Sequence, residues 1–157
     1  MNKHVKRGLG FGITSGVITT LGVIIGLYAS VGSRLAVIGG ILSVALADSF
    51  SDALGMHISE ESGSKATSAE VWKATFSTLF SKLFFSGIFL ASFFILDLKE
   101  AVVFSVILGV AILGFFNYKI AKEKKENPAR VILEHLTIAI IVIAVTYLVG
   151  HLISSID

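Results

Sequence analysis

The sequence predicts an all-α integral membrane protein with five transmembrane helices, on the basis of its composition, its apolar runs and its length. Of its 157 residues, 54% are hydrophobic and only 15% are charged, whereas a soluble domain carries about 25% charged residues. The length suits one domain with about five spans of roughly 20 residues each. We expect a single transmembrane domain over residues 1–157, with spans over about 8–31, 35–59, 71–96, 101–118 and 131–153.

The first predicted span, residues 8–31, is glycine-rich and too long for the apolar region of a signal peptide. Gly8, Gly12 and Gly16 are four residues apart, a spacing that lets helix backbones approach closely in lipid. These glycines either pack within one chain or form the seam of a homodimer. Five spans cannot form two equal halves, so we expect symmetry to come from a homodimer, with this span as a candidate seam.

The second predicted span carries polar residues inside an apolar run. Three of them and one methionine, spaced four apart, share one slowly drifting face of a helix: Asp48, Asp52, Met56 and Glu60. This stripe is about 18 Å long at the rise of an α-helix. A carboxylate near the bilayer centre costs about 2.5–3.5 kcal/mol, so two of them one turn apart need either a structural partner or a function.

The chemistry of this stripe favours a divalent cation. Carboxylate oxygens alone suit Mg²⁺, Ca²⁺ or Mn²⁺, and a thioether shifts the preference towards Fe²⁺ and later metals. Because Met56 shares the face of the aspartates, Fe²⁺ or Mn²⁺ is the expected ion. His57 lies about half a turn away from Asp48, so we expect a packed or interfacial residue, with a metal ligand or a gate residue as the alternatives. Glu60 and Glu61, with Glu70 nearby, belong either to a solvated loop or to an acidic funnel that concentrates cations.

The third predicted span contains Lys82 among apolar residues. Counted from the cytoplasmic helix ends, Lys82 is about 15 Å deep, and Asp52 and Asp48 are about 12 and 18 Å deep. The three charges can therefore lie at one level on adjacent antiparallel helices. Two alternatives stay open: a lysine–aspartate pair that only neutralises itself, or a counter-ion that a cation or proton displaces.

The last two predicted spans are separated from their neighbours by polar turns. The turn DLKE, residues 97–100, precedes the fourth span, and a charged helical extension follows it from Lys119. That extension is expected to break at Asn127 and Pro128, because a residue before proline avoids helical geometry. The fifth span begins beyond this break.

The basic residues predict the orientation. With the amino terminus in the cytoplasm, ten basic residues lie on the cytoplasmic side: Lys3, Lys6, Arg7, Lys65, Lys73, Lys119, Lys122, Lys124, Lys125 and Arg130. The opposite side holds only Arg34 and Lys99. Cytoplasmic loops are enriched in lysine and arginine, so we expect a cytoplasmic amino terminus and a carboxyl terminus on the opposite side.

Several classes of function are excluded or unsupported. The chain has no cysteine, which excludes disulfides and thiolate chemistry, and no basic run interleaved with aromatic residues favours nucleic-acid binding. There is no nucleophile elbow, P-loop, dinucleotide fingerprint or HExxH motif. Membrane aspartyl proteases carry their aspartates on two helices, whereas both lie on one here. We therefore predict no enzymatic activity and no permanently bound cofactor.

Two segments resemble the vacuolar iron transporter family. The run SGVITTLGVIIG at residues 15–26 is similar to that family's first-helix segment, and ALADSFSDALGMHIS at residues 45–59 is similar to its second-helix signature. The resemblance implies a five-helix homodimer that exports cytosolic Fe²⁺ or Mn²⁺ in exchange for protons. The family's first-helix Asp falls at Ser15, its second-helix Met at Asp52 and its following Glu at Met56. Only a short connector replaces the cytosolic metal-binding extension of longer members.

The resulting functional hypothesis is a metal-cation transporter that exports Fe²⁺ or Mn²⁺, with the lipid bilayer, metal cations and a second copy of itself as partners. Asp48 and Asp52 would carry the cation or proton, and Met56 and Glu60 would form the cytoplasmic gate. The alternative is a non-transporting membrane module in which the cluster of Lys82 and the aspartates is structural. The compact chain, with no targeting extension, suggests a prokaryotic plasma membrane.

Overall fold

The computed structural model describes residues 2–63 and 65–156. Five helices follow one another along the chain: α1 (Lys3–Ser30), α2 (Arg34–Gly63), α3 (Ser68–Ile95), α4 (Leu98–Lys124) and α5 (Pro128–Ser154). All five are long and apolar enough to cross a membrane, and no strand occurs in the described ranges. The predicted all-α class with five membrane-spanning helices is confirmed.

Local capping groups explain where several of these helices begin. The side chain of Asn2 accepts a hydrogen bond from the His4 amide at 2.8 Å, at the start of α1. Glu70 reaches back to the Thr67 amide at 2.9 Å before α3, and Asn127 accepts from the Ala129 amide at 3.0 Å before α5. Each bond satisfies a backbone donor that has no partner within the helix.

The connections between helices are short, so successive helices run in opposite directions. The connection between α1 and α2 contains Gly32, whose φ of 61° is a left-handed conformation that glycine adopts at little cost. At one end of the bundle, Lys6 near the start of α1 pairs with Glu123 near the end of α4 at 2.9 Å. At the other end, Arg34 at the start of α2 donates to the Leu96 carbonyl and lies 3.5 Å from Asp97.

Helix α1 is the centre of the bundle and packs against all four other helices. Its contact with α3 depends on glycine: a Cβ atom at Gly12 would lie 2.1 Å from Ser81 Oγ and 2.6 Å from the Thr78 carbonyl oxygen. At Gly8 the equivalent distance to the Ala74 carbonyl oxygen is 2.3 Å. The predicted close approach of helices at these glycines therefore occurs within one chain, between α1 and α3.

Helices α2 and α5 lie on either side of α1, and a groove runs between them along α1. It contains two adjoining cavities of about 430 and 520 Å³. Residues of all three helices line the second cavity, among them Thr19, Gly22, Val44, Asp48 and Thr146. The outer face of α2 is also exposed along a stripe of apolar residues, Leu42, Leu46, Phe50, Leu54 and Ile58. The groove borders the site described next.

Candidate functional site

Lys82 lies at the centre of a charged cluster inside the bundle. Its side chain is 1% exposed, and its Nζ atom lies 2.5 Å from Asp48 Oδ2. It donates a hydrogen bond to Asp52 Oδ2 and another, 2.9 Å long, to Ser15 Oγ. Ser15 in turn donates to Asp52 Oδ2 at 2.6 Å. Side chains from α1, α2 and α3 thus meet in one hydrogen-bonded group, at the level that the helix depths predicted.

The backbone geometry of α1 makes room for this lysine. A Cβ atom at Gly16 would lie 3.1 Å from Lys82 Cγ and 3.3 Å from its Cα. Since Gly16 has no side chain, the aliphatic stem of Lys82 lies directly against α1. The ammonium group then reaches Ser15 on α1 and both aspartates on α2.

The two aspartates differ from Lys82 in their access to the surface. The side chains of Asp48 and Asp52 are 32% and 20% exposed, and Asp48 lines the groove between α2 and α5. Its contact with Lys82 is a close ion pair without hydrogen-bond geometry. With all three groups ionised, two carboxylates share one ammonium, so the cluster carries one net negative charge next to the groove.

Glu60 belongs to a second cluster, at the end of the bundle where α1 begins. Its side chain is fully buried, with Oε2 2.6 Å from His4 Nδ1 and Oε1 2.5 Å from Arg7 Nη1. Glu70 lies at the edge of the cluster, with Oε1 3.9 Å from His4 Nε2. Two turns of helix, about 12 Å, separate Glu60 from Asp52. The predicted stripe on α2 is therefore divided between two clusters.

The remaining predicted site residues lie outside both clusters. Met56 is buried on α2, between the levels of Asp52 and Glu60. His57 Nδ1 lies 3.0 Å from Thr75 Oγ1, and its ring meets the edge of Trp72 at a centroid distance of 4.7 Å. Glu61 is exposed at the end of α2. His57 thus packs against α3, through Thr75 and Trp72.

Within the part of the chain that the structure describes, no three histidine, aspartate or glutamate side chains are close enough together to hold a metal ion. One chain brings together two carboxylates, and both already contact Lys82. A metal ion at this cluster would therefore need displacement of Lys82, further ligands from a second chain, or both.

Three residues of these clusters were not predicted from the sequence. His4 lies near the amino terminus, where no periodic pattern surrounds it, yet it is buried against Glu60. Arg7 had been considered only for its charge, although a carboxylate on an apolar face requires a partner. Ser15 marked the position of the family's aspartate, and its hydroxyl now bridges Lys82 and Asp52. The need of each buried carboxylate for a donor was the signal that could have identified them.

Comparison with known protein families gives one match. The model of the VIT family matches residues 52–151, more than half of the chain. The match covers the second half of α2 and continues into α5, so it does not depend on the first-helix segment or on Asp48. No curated protein matches the chain at a significant level. The resemblance to the vacuolar iron transporters is confirmed, and the chain belongs to the VIT family, whose members are membrane transporters of metal ions rather than enzymes.

Proposed function

We propose that this protein exports a divalent transition-metal cation, Fe²⁺ or Mn²⁺, from the cytosol in exchange for protons. The observation that carries the proposal is the pair of carboxylates, Asp48 and Asp52, held inside the bundle by a buried lysine. Ionisable residues inside a membrane protein commonly mark an ion pathway. Asp48 also lines an open groove, which supplies a route to the cluster.

In this proposal Lys82 is the counter-ion of the empty site. A cation that passes the gate on the cytoplasmic side meets Asp52 first, because Asp52 is the nearer of the two aspartates to that end of α2. Asp48, which lines the groove, lies on the exit side. As the cation binds both carboxylates, it replaces the ammonium group of Lys82, which keeps Ser15 Oγ as a hydrogen-bond acceptor. Protons that bind the same carboxylates on the opposite side would release the cation. This competition supplies the coupling between cation and proton.

The homodimer belongs to the same proposal. Because the described residues of one chain bring two carboxylates and no third metal-binding side chain to this cluster, a second copy facing the groove would supply the other ligands. We place the seam along the groove between α2 and α5, where α1 contributes Gly22 and Gly26. Gly8, Gly12 and Gly16 are already in contact with α3, which favours Gly22 and Gly26 as the part of the first span that faces the second copy.

Glu60 and Met56 would form the cytoplasmic gate, below the intramembrane cluster. Glu60 can accept a cation only after His4 and Arg7 release its carboxylate, so the first turn of α1 would control access. The proposal includes a cytoplasmic amino terminus, supported by ten basic residues at one end of the bundle and two at the other. It also includes a prokaryotic plasma membrane, across which export would lower cytosolic metal.

A second candidate is a membrane module that keeps the scaffold and transports nothing. One observation favours it: Lys82 already neutralises the aspartates within a single chain, as a purely structural group would. In that case the cluster contributes to stability and has no exchangeable ion.

Metal flux into liposomes distinguishes the two candidates. Purified protein is reconstituted, and Fe²⁺ and Mn²⁺ uptake is measured for the wild type and for Asp48→Asn/Asp52→Asn. We expect flux in the wild type and its loss in the double variant. The matched control is Asp97→Asn, which removes a carboxylate whose side chain is 93% exposed and should leave the flux unchanged.

The other outcomes are equally informative. Flux that survives in the double variant would place the pathway elsewhere. Absence of flux for both metals, with folded wild-type protein, would favour the structural module. Light scattering on the same preparation gives the oligomeric state, and a monomer that transports would contradict the dimer.

A further inference from the structure

We propose that the groove between the start of α1 and the end of α4 binds an anionic phospholipid. This groove forms a cavity of about 290 Å³. Seven residues line it: Lys6, Leu9, Ile13, Phe116, Lys119, Ile120 and Glu123. It is separate from the groove between α2 and α5, and neither charged cluster contributes a residue to it.

The lining changes from polar to apolar along the helices, as an amphiphilic ligand requires. Lys6 and Glu123 lie at the end of the bundle, and Ile13 lies about 10 Å further along α1. Leu9 and Ile13 on α1 face Phe116 and Ile120 on α4 across the cavity. A lipid with its headgroup at the lysines would therefore place an acyl chain against the four apolar residues.

The charge of the polar end favours an anionic headgroup. Lys6 and Lys119 give two positive charges against the one negative charge of Glu123. The Nζ atom of Lys119 lies 4.6 Å from the centroid of the Phe115 ring. Among the described residues it forms no ion pair within 4 Å, although its charge acts on Glu123 one turn away. It is an exposed ammonium group held over an aromatic ring, in position to bind a phosphate.

Lys6 is also available, although it pairs with Glu123. That pair is exposed, with side-chain exposures of 43% for Lys6 and 64% for Glu123, and exposed ion pairs are weak. A lipid phosphate can therefore compete with Glu123 for Lys6. Basic pockets between transmembrane helices at the cytoplasmic side bind anionic headgroups, and this cavity lies at the end of the bundle that carries most of the basic residues.

Native mass spectrometry of the purified full-length protein tests the proposal. The protein is titrated with phosphatidylglycerol, with phosphatidylcholine of the same acyl chains, and with inorganic phosphate. We expect phosphatidylglycerol to bind in preference to phosphatidylcholine, and Lys119→Gln to lower its affinity about fivefold. The matched control is Lys99→Gln, at the opposite end of the bundle, which should bind as the wild type does. Equal binding of the two lipids would overturn the proposal. Binding of inorganic phosphate without binding of phosphatidylglycerol would also overturn it, because the site would then bind an anion and no lipid.

A variant with the opposite sign separates a lipid site from a structural ion pair. Glu123→Gln removes the group that competes for Lys6, so we expect tighter binding of phosphatidylglycerol. If Glu123→Gln weakens binding, or if Lys6→Gln/Lys119→Gln leaves it unchanged, the groove is not the site. Circular dichroism of each variant confirms that the helices are intact.

Discussion

At the scale of single residues, Lys82 decides how two carboxylates can exist inside the bundle. Its ammonium group contacts Asp48, Asp52 and Ser15, three oxygen partners on two other helices. A buried charge without partners would be far too costly. The same contacts explain why Lys82 can be both a stabilising group and an exchangeable counter-ion.

Replacing Lys82 by alanine should affect both stability and transport. It leaves two carboxylates one turn apart without a cation, and removing one partner of a buried ion pair costs about 3–5 kcal/mol. We expect the lower half of that range, because the aspartates are partly exposed. Thermal unfolding in detergent measures the loss, and Lys99→Ala on the exposed opposite end is the control. A Lys82→Ala variant that folds and transports normally would rule out the counter-ion role.

The contacts of Lys82 were predictable from the sequence, whereas for Glu60 the sequence indicates that a buried carboxylate needs a donor but not which residue supplies it. The rise of an α-helix is constant, so residue counts along two antiparallel helices give depths that can be compared. His4 and Glu60 are 56 residues apart, and no repeating pattern connects them. Similarly, no spacing rule marks the Ser15 hydroxyl as the bridge between Lys82 and Asp52.

At the scale of helices, the close contact between α1 and α3 depends on the absence of side chains on one face of α1. Gly8 and Gly12 lie directly against the carbonyl groups of Ala74 and Thr78. Thr78 also donates to the Gly8 carbonyl oxygen at 3.2 Å. A methyl group on this face would have to displace the backbone of α3, which belongs to a continuous helix.

Gly12→Ala should therefore destabilise the protein. Overpacking of this kind costs about 1–3 kcal/mol, and we expect the upper half because a backbone oxygen lies in the way. The matched control is Gly87→Ala on α3, where an added Cβ meets nothing within 4 Å and helix propensity favours alanine by up to about 1 kcal/mol. The midpoints of thermal unfolding in detergent are measured for both variants and compared with that of the wild type. Equal stability of the two variants would contradict the close contact.

The existence of the helices was predictable, but their ends were less so. Apolar runs identify the part of a helix that crosses lipid, whereas α1 begins at Lys3 and α2 continues to Gly63, five and four residues beyond their predicted spans. Charged and polar residues form these end turns, where hydropathy gives no signal. The break before α5 was predictable because Asn127 and Pro128 have well-defined backbone preferences.

At the scale of the whole molecule, the central position of α1 could not be predicted. In lipid a helix can be apolar on every side, so its pattern does not show which face meets another helix. Glycine spacing predicted a close approach of two helices but not the partner. The groove between α2 and α5 depends on this arrangement, and it was found only in the structure.

The ion pair between α2 and α3 has a consequence for synthesis of the chain. Asp52 leaves the ribosome 30 residues before Lys82, a delay of roughly 2–6 seconds at about 5–20 residues per second. During that time α2 alone would hold two uncompensated carboxylates in lipid, at a cost of about 5–7 kcal/mol. We therefore expect α2 to remain beside the translocon until α3 emerges, and the two helices to enter the bilayer as a hairpin.

Nascent chains of increasing length test this order, with a photoreactive group placed in α2. Cross-links to the translocon should persist until residues of α3 have emerged, and Lys82→Ala should prolong them. Chains whose α2 cross-links to lipid before α3 emerges would contradict the expectation. If the cross-links to the translocon persist as expected, Lys82 is required while the protein is being made, before there is any cation to move.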